Sequence, residues 1–187
     1  MKALVCANRS PAWYLILCGF LSGGLGHDFS RVPAPGPVDD PPTVVVIVRH
    51  AEKTSAADDP PLTGSGQVRA RLLARMLGDL RLTAIHSSDT TRTRDTAAPL
   101  ARQRELDISL YDPGDQRPLV NSIREAGGHH LVVGHSNTVR QLVELLGGDP
   151  GDPIDEAGEY DRLYLVTIGG DQVSTVLLRF GEPAGGR

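Results

Sequence analysis

The chain has 187 residues, with 23 acidic side chains against 19 basic ones, a net charge of −4, and 40% hydrophobic and 22% charged residues. That length holds one domain with a real core and hardly a second. The acidic balance excludes a general nucleic-acid-binding surface, which needs a basic face to gather phosphates, so any anion site here has to be a local group of arginines.

The first element is a segment for export. Lys2 and Arg9 precede an apolar stretch over residues 12–21, and small residues follow at Ser22, Gly23, Gly24 and Gly26. Basic, apolar and small-residue regions in that order are the layout of a secretory signal peptide, assigned to residues 1–26, or of a retained N-terminal anchor. The apolar stretch is shorter than a membrane span requires, and any membrane attachment falls to this segment. The expected location is therefore periplasmic or secreted. Leu17 is too large for the position before a lipid-modified Cys18, which argues against a lipoprotein. Cys6 and Cys18 both lie in this segment, so the mature domain needs no disulfide. Loss of Lys2 and Arg9 would take the net charge to −6, because residues 1–26 hold no acidic side chain. Residues 27–42 are proline-rich and read as a linker, residues 43–182 as the folded domain, and residues 183–187 as a flexible tail.

Residues 44–48 are all β-branched and stop at Arg49-His50, which predicts a buried strand with a cation and a titratable side chain at its carboxyl end. A polar loop over residues 53–61 leads to Leu62-Thr63-Gly64-Ser65-Gly66. There Thr63 or Ser65 can cap a helix over 66–80 with Val68, Leu72, Leu73, Met76 and Leu77 on its buried face. Arg69, Arg71 and Arg75 then read as the solvated face. A strand is expected at 82–86, a turn at Ser87-Ser88-Asp89, a helix over 90–102, a strand at 108–111 and a helix over 118–126. A buried strand at 130–134 precedes a helix capped by Ser136 or Asn137 and ended by Gly147-Gly148. Residues 147–158 read as a long surface loop. Strands at 162–168 and 172–180 close the chain through a hairpin turn at Gly169-Gly170-Asp171.

Strands alternating with helices imply an α/β fold, a three-layer sandwich with a mostly parallel sheet, helices on both faces and an antiparallel edge hairpin. Ligands in such sheets bind at the carboxyl ends of the strands. Three polar groups project there: Arg49-His50, Ser87-Ser88 with Arg92, and Gly134-His135-Ser136-Asn137. Phosphoryl transfer asks for an in-line nucleophile, positive charge on the equatorial oxygens and a proton donor for the leaving oxygen. Neutral imidazole suits the first task, which points to His50. Arg49 and Arg92 supply planar forks matched to phosphate oxygens, and His135 a further hydrogen bond or charge. Ser88, Asn137 and Lys53 join them as candidate substrate contacts. For the acid, Asp112 is the first choice and Glu52 and Asp115 the reserves, although Asp112-Pro113-Gly114-Asp115 also suits a plain turn.

These residues resemble the signature of the histidine phosphatase superfamily, in its branch of phosphoglycerate mutases and small bacterial phosphatases. Arg49-His50-Ala51-Glu52, Leu62-Thr63 with Gly66 and Ala70, Ser87-Ser88 with Arg92 and Thr96-Ala97, and Gly134-His135 follow in that family's order. The resemblance implies a phosphohistidine intermediate on His50, with Arg49, Arg92 and His135 completing a phosphate pocket, and no cofactor or metal. Ala51 stands in place of the usual glycine, and Asp89-Thr90-Thr91 in place of proline and leucine. The insertion that carries an acidic residue in the mutases is missing, which favours a phosphatase. The expected partner is a phosphorylated small molecule or a phosphoprotein, and not nucleic acid. Three alternatives stay open: a phosphate-binding relative without turnover, a phosphomutase, and a metal site on His50 and His135. Adjacent Arg49 and Arg92 would repel a cation at the last of these. His27, His86, His129 and His130 read as surface or supporting residues, and the sequence fixes no oligomeric state.

Overall fold

The structure is a computed structural model that describes residues 41–55 and 58–183. Residues 1–26, read as the export segment, and most of the linker lie outside those residues, and the tail is described only at Pro183. Among the described residues no helix is long and apolar enough to cross a membrane.

Among the described residues six strands form one sheet. They are β1 (Thr43–Arg49), β2 (Ala84–Ser88), β3 (Ile108–Tyr111), β4 (His129–Gly134), β5 (Arg162–Gly169) and β6 (Gln172–Arg179), in the order β3-β2-β4-β1-β5-β6. The first four lie parallel, and β5 and β6 add the expected antiparallel hairpin at the β1 edge. Four helices alternate with these strands: α1 (Gly64–Met76), α2 (Thr91–Arg104), α3 (Arg117–Ala126) and α4 (Ser136–Leu145).

Successive side chains of a strand point to opposite faces, so a strand covered on both sides must be apolar throughout. In β1, Val46 and Val48 pack with Leu73 of α1, Leu77 just after it and Leu100 of α2. Val45 and Ile47 pack with Ile123, Val139 and Leu142 from α3 and α4. The sandwich therefore has the three layers expected of it.

Helix α1 corrects the sequence reading. It ends at Met76, not at residue 80, and its buried face is Gly66, Arg69, Ala70, Leu73 and Ala74. Val68 is 57% exposed and Met76 45% exposed, although both belong to the predicted apolar stripe. The rotation has two causes. Arg69, placed by the sequence on the solvated face, is buried and binds the Glu52 carboxylate at 2.8–3.1 Å and the carbonyls of Phe180 and Glu182 at 2.6 Å. Gly66 abuts the loop that follows β1 so closely that a Cβ would lie 2.2 Å from the Glu52 carbonyl oxygen. Thr63 is the cap, accepting from the Gly66 N–H at 3.0 Å.

Strand β2 runs through Ser87 and Ser88, which the sequence placed in a turn. Pairing of Ser87 with Val133 and of Ser88 with Tyr111 extends the strand and buries both serines. The cap of α4 is His135, one residue earlier than expected, and its N–H donates to Thr138 Oγ1 at 3.0 Å.

Candidate active site

Parallel strands place their carboxyl ends along one edge, and the polar groups of β1, β2 and β4 meet there. The His50 N–H donates to the Gly134 carbonyl at 2.8 Å, continuing the β1–β4 ladder by one step. The next N–H, of Ala51, donates to Thr96 Oγ1 at 2.9 Å, which in turn donates to the Arg92 carbonyl at 2.7 Å. These bonds lock the chain after β1 onto the first turns of α2. His50, Lys53, Arg92, His135, Asn137 and Glu156 line one open cavity of ≈ 410 Å³.

The His50 ring is 3% exposed and lies 5.5 Å, centroid to centroid, from His135 in an edge-on arrangement. Nδ1 stands 2.7 Å from the Ala51 carbonyl oxygen. A carbonyl only accepts, so Nδ1 carries the proton and Nε2 keeps its lone pair. Burial pushes the His50 pKa down to about 3; the Arg49, His135 and Arg92 charges add to this, and the Ala51 hydrogen bond opposes it. At neutral pH the ring is uncharged.

His135 is similarly held down, to about 4, by burial and then by Arg92 and Arg49. Arg92 Nη2 is 3.5 Å from its Nδ1, and Nε2 lies 2.9 Å from Ser88 Oγ. Ser88, a candidate substrate contact, is fully buried beneath His135 and does not line the cavity. It supports the ring instead. Lys53 and Asn137 do line the cavity, beside the start of α4 where unpaired N–H groups favour an anion. Among the described residues the Arg92 guanidinium makes only long contacts, 3.5 Å to His135 and 3.4 Å to Asp59, and its Nε is buried without a partner.

Arg49 departs from the expected clamp. Its Nη1 donates to the carbonyls of Asp155 and Glu159 at 3.2 and 3.0 Å, its Nη2 to that of Glu156 at 2.8 Å, and its guanidinium lies 4.1 Å from the Tyr160 ring centre. Only Nε, buried and without a partner among the described residues, is left for an anion. The terminal nitrogens hold the loop between α4 and β5. Arg162 holds the same loop through the carbonyls of Asp152 and Pro153, at 2.6 and 3.1 Å, and through Glu159 at 2.8 Å. Burial opposes ionisation of Glu159, but bonds from Arg162, the Asp155 N–H and Arg179 prevail and hold its pKa at about 2.

None of the acids chosen from sequence reaches the cavity. Asp112 is exposed, and its carboxylate accepts from the Gly114 N–H at 2.8 Å, so the turn reading is the correct one. Asp115 does likewise for the Arg117 N–H at 3.3 Å. The Glu52 carboxylate is occupied by Arg69 and borders a different cavity, next to Val68 and Leu72. The carboxylic acid that does line the site, Glu156, comes from the surface loop over residues 147–158, in which the sequence singles out no site residue. Its one signal was a run of acidic residues, Asp149, Asp152, Asp155, Glu156 and Glu159, ahead of Arg162.

The buried imidazoles also set the response to acid. His50 and His86 have folded pKa values of about 3 and about 4, well below the ordinary 6.5, burial being the first cause for each. The unfolded chain therefore binds more protons between those values and pH 6.5. Stability is fully present above pH 6.5 and falls as the pH drops, by about 1.4 kcal/mol per pH unit for each imidazole. Glu159 adds its own loss only below its ordinary 4.5. We expect the melting temperature to fall between pH 6.5 and 4.5, measured by circular dichroism; a flat profile over that interval would contradict the buried neutral histidines.

Residues 45–112 match the family model of the histidine phosphatase superfamily (branch 1). Solved structures share the fold. A mycobacterial protein described as hydrolase 2 aligns with a TM-score of 0.61 at 15% identity, over 79% of this chain and 94% of its own. The protein histidine phosphatase SixA, complexed with tungstate, aligns with a TM-score of 0.61 at 21% identity, over 73% and 96%. A mycobacterial glucosyl-3-phosphoglycerate phosphatase aligns with a TM-score of 0.56 at 14% identity, over 74% and 98%. No curated protein matches in sequence. Three of the four motifs read from the sequence fall inside the matched segment, with Gly134-His135 beyond it, and the three-layer α/β architecture agrees with the shared fold.

Proposed function

We propose that this chain, whose residues 45–112 carry the histidine phosphatase (branch 1) pattern, is a metal-independent phosphomonoester hydrolase acting through a phosphohistidine on His50. One observation carries the reading: a buried, neutral imidazole with its Nε2 lone pair free borders a cavity shared with Arg92, His135 and Lys53. A phosphate dianion entering there meets two cations and the start of α4. His50 Nε2 attacks phosphorus and the bond to the leaving oxygen breaks. Water then attacks the phosphohistidine, releasing inorganic phosphate and restoring the neutral ring. Arg92 is freer than Arg49 to turn onto the anion, because both contacts of its guanidinium are long. If the export segment acts as its layout suggests, the substrates lie outside the cytoplasm.

The test uses p-nitrophenyl phosphate with an excess of chelator. We expect release of p-nitrophenol at an unchanged rate and, after rapid quench with 32P-labelled substrate, a protein-bound label that is stable to base and labile to acid. Label on a serine, such as Ser136 on the cavity wall, would overturn the assignment of His50. Phosphate binding without turnover at any pH would instead make the chain a binding relative.

A further inference from the structure

We propose that Glu156 is the proton donor of this site, presented to the leaving oxygen by the loop that Arg49 fastens, and that the substrates are phosphate monoesters of alcohols. This rests on the phosphohistidine reading above. Among the described residues Glu156 is the one carboxylic acid on the wall of the His50 cavity. Its own carbonyl is fixed by Arg49 Nη2 at 2.8 Å, so the side chain starts from a point anchored to the end of β1 beside the nucleophile. The neighbouring acids are otherwise engaged: Asp155 caps the Ala157 N–H at 3.0 Å, and Glu159 is bound by Arg162 and Arg179. The Glu156 carboxylate makes no hydrogen bond to any described residue, and the residue is exposed on the wall of the cavity that His50 also lines.

An alkoxide is a poor leaving group and needs a proton as its bond to phosphorus breaks, whereas a nitrophenolate or an imidazole leaves with little help. A carboxylic acid held in the site is therefore of most use toward alkyl esters. In the first step the His50 Nε2 lone pair forms the N–P bond, the P–O bond breaks, and the Glu156 proton goes to the departing oxygen. In the second, Glu156 as carboxylate takes a proton from the attacking water while the P–N bond breaks. Both residues return to their starting states. Arg49 is then a positioning residue for the acid as well as a neighbour of the phosphate.

Glu156→Gln keeps the size of an exposed side chain and should not disturb the fold. Wild type and variant would be compared with glycerol phosphate and with p-nitrophenyl phosphate, measuring both turnover and the burst of phosphoenzyme by rapid quench. We expect phosphoenzyme formation from glycerol phosphate to fall about 100- to 10,000-fold. With p-nitrophenyl phosphate the burst should persist and the labelled intermediate should accumulate, because its hydrolysis has lost the base. A loss by the same factor in the first step with both substrates, or no loss with either, would overturn the role of Glu156 while leaving the phosphohistidine reading intact. Wild-type protein that forms no phosphohistidine with either substrate would overturn the reading itself.

Discussion

His50→Ala is expected to lower turnover of p-nitrophenyl phosphate by about four to six orders of magnitude, the range seen when a covalent nucleophile is removed. The residue is buried at the junction of β1 and β4, so its loss deletes the only bond-forming atom the proposed reaction uses without reshaping the cavity wall contributed by α4. The variant should still fold. The His50 main-chain N–H keeps its bond to the Gly134 carbonyl, and the neighbouring Ala51 N–H keeps its bond to Thr96. The measurement is steady-state release of p-nitrophenol, with circular dichroism as the control for folding and phosphate binding by calorimetry as the control for the pocket. Activity within tenfold of wild type in a folded variant would mean that another group accepts the phosphoryl transfer.

Arg92→Ala is expected to cost about 2–4 kcal/mol of transition-state stabilisation in kcat/KM, as for loss of one well-placed donor to a developing charge. Arg92 sits in the first turn of α2, and the Thr96 hydroxyl ties its carbonyl to the chain after His50, so the guanidinium is carried to the cavity by two elements at once. Arg49 cannot replace it, because its terminal nitrogens are bound to three carbonyls. Arg92→Lys should recover part of the loss, since a lysine restores the charge but not the fork that spans two oxygens. A near-wild-type Arg92→Ala would remove this residue from the phosphate pocket.

The loop after α4 shows how the site differs from its motif. In the sequence, Arg49 and Arg92 are equivalent forks; in the fold, one is spent on main-chain carbonyls and the other is held by long contacts. The same division separates the histidines: His50 has a free nitrogen, while both nitrogens of His135 are within reach of Ser88 and Arg92. Which side chains keep a free polar atom at the cavity and which hold neighbouring segments is thus set by the neighbours that reach each of them.

Local rules account for the elements and their order. The unbroken β-branched run of β1 required a strand covered on both faces, the alternation of strands with helices required parallel crossovers, and glycines with a polar turn between β5 and β6 required a hairpin. Those rules also bring His50, Arg92 and His135 to one edge, because parallel strands end on the same side. Tertiary structure alone decided the rest. Burial of Arg69 depends on Glu52, 17 residues away, and on carbonyls of Phe180 and Glu182 near the chain's end, and no periodicity within α1 encodes such partners. That Glu156 and not Asp112 lines the His50 cavity depends on Arg49 gripping a loop more than 100 residues further along, against a two-residue hydrogen bond that closes Asp112 into its own turn. Helical and strand periods record which face of an element is buried; they carry no record of where an irregular loop is tied, because that is set by single long-range contacts to carbonyls that every residue possesses.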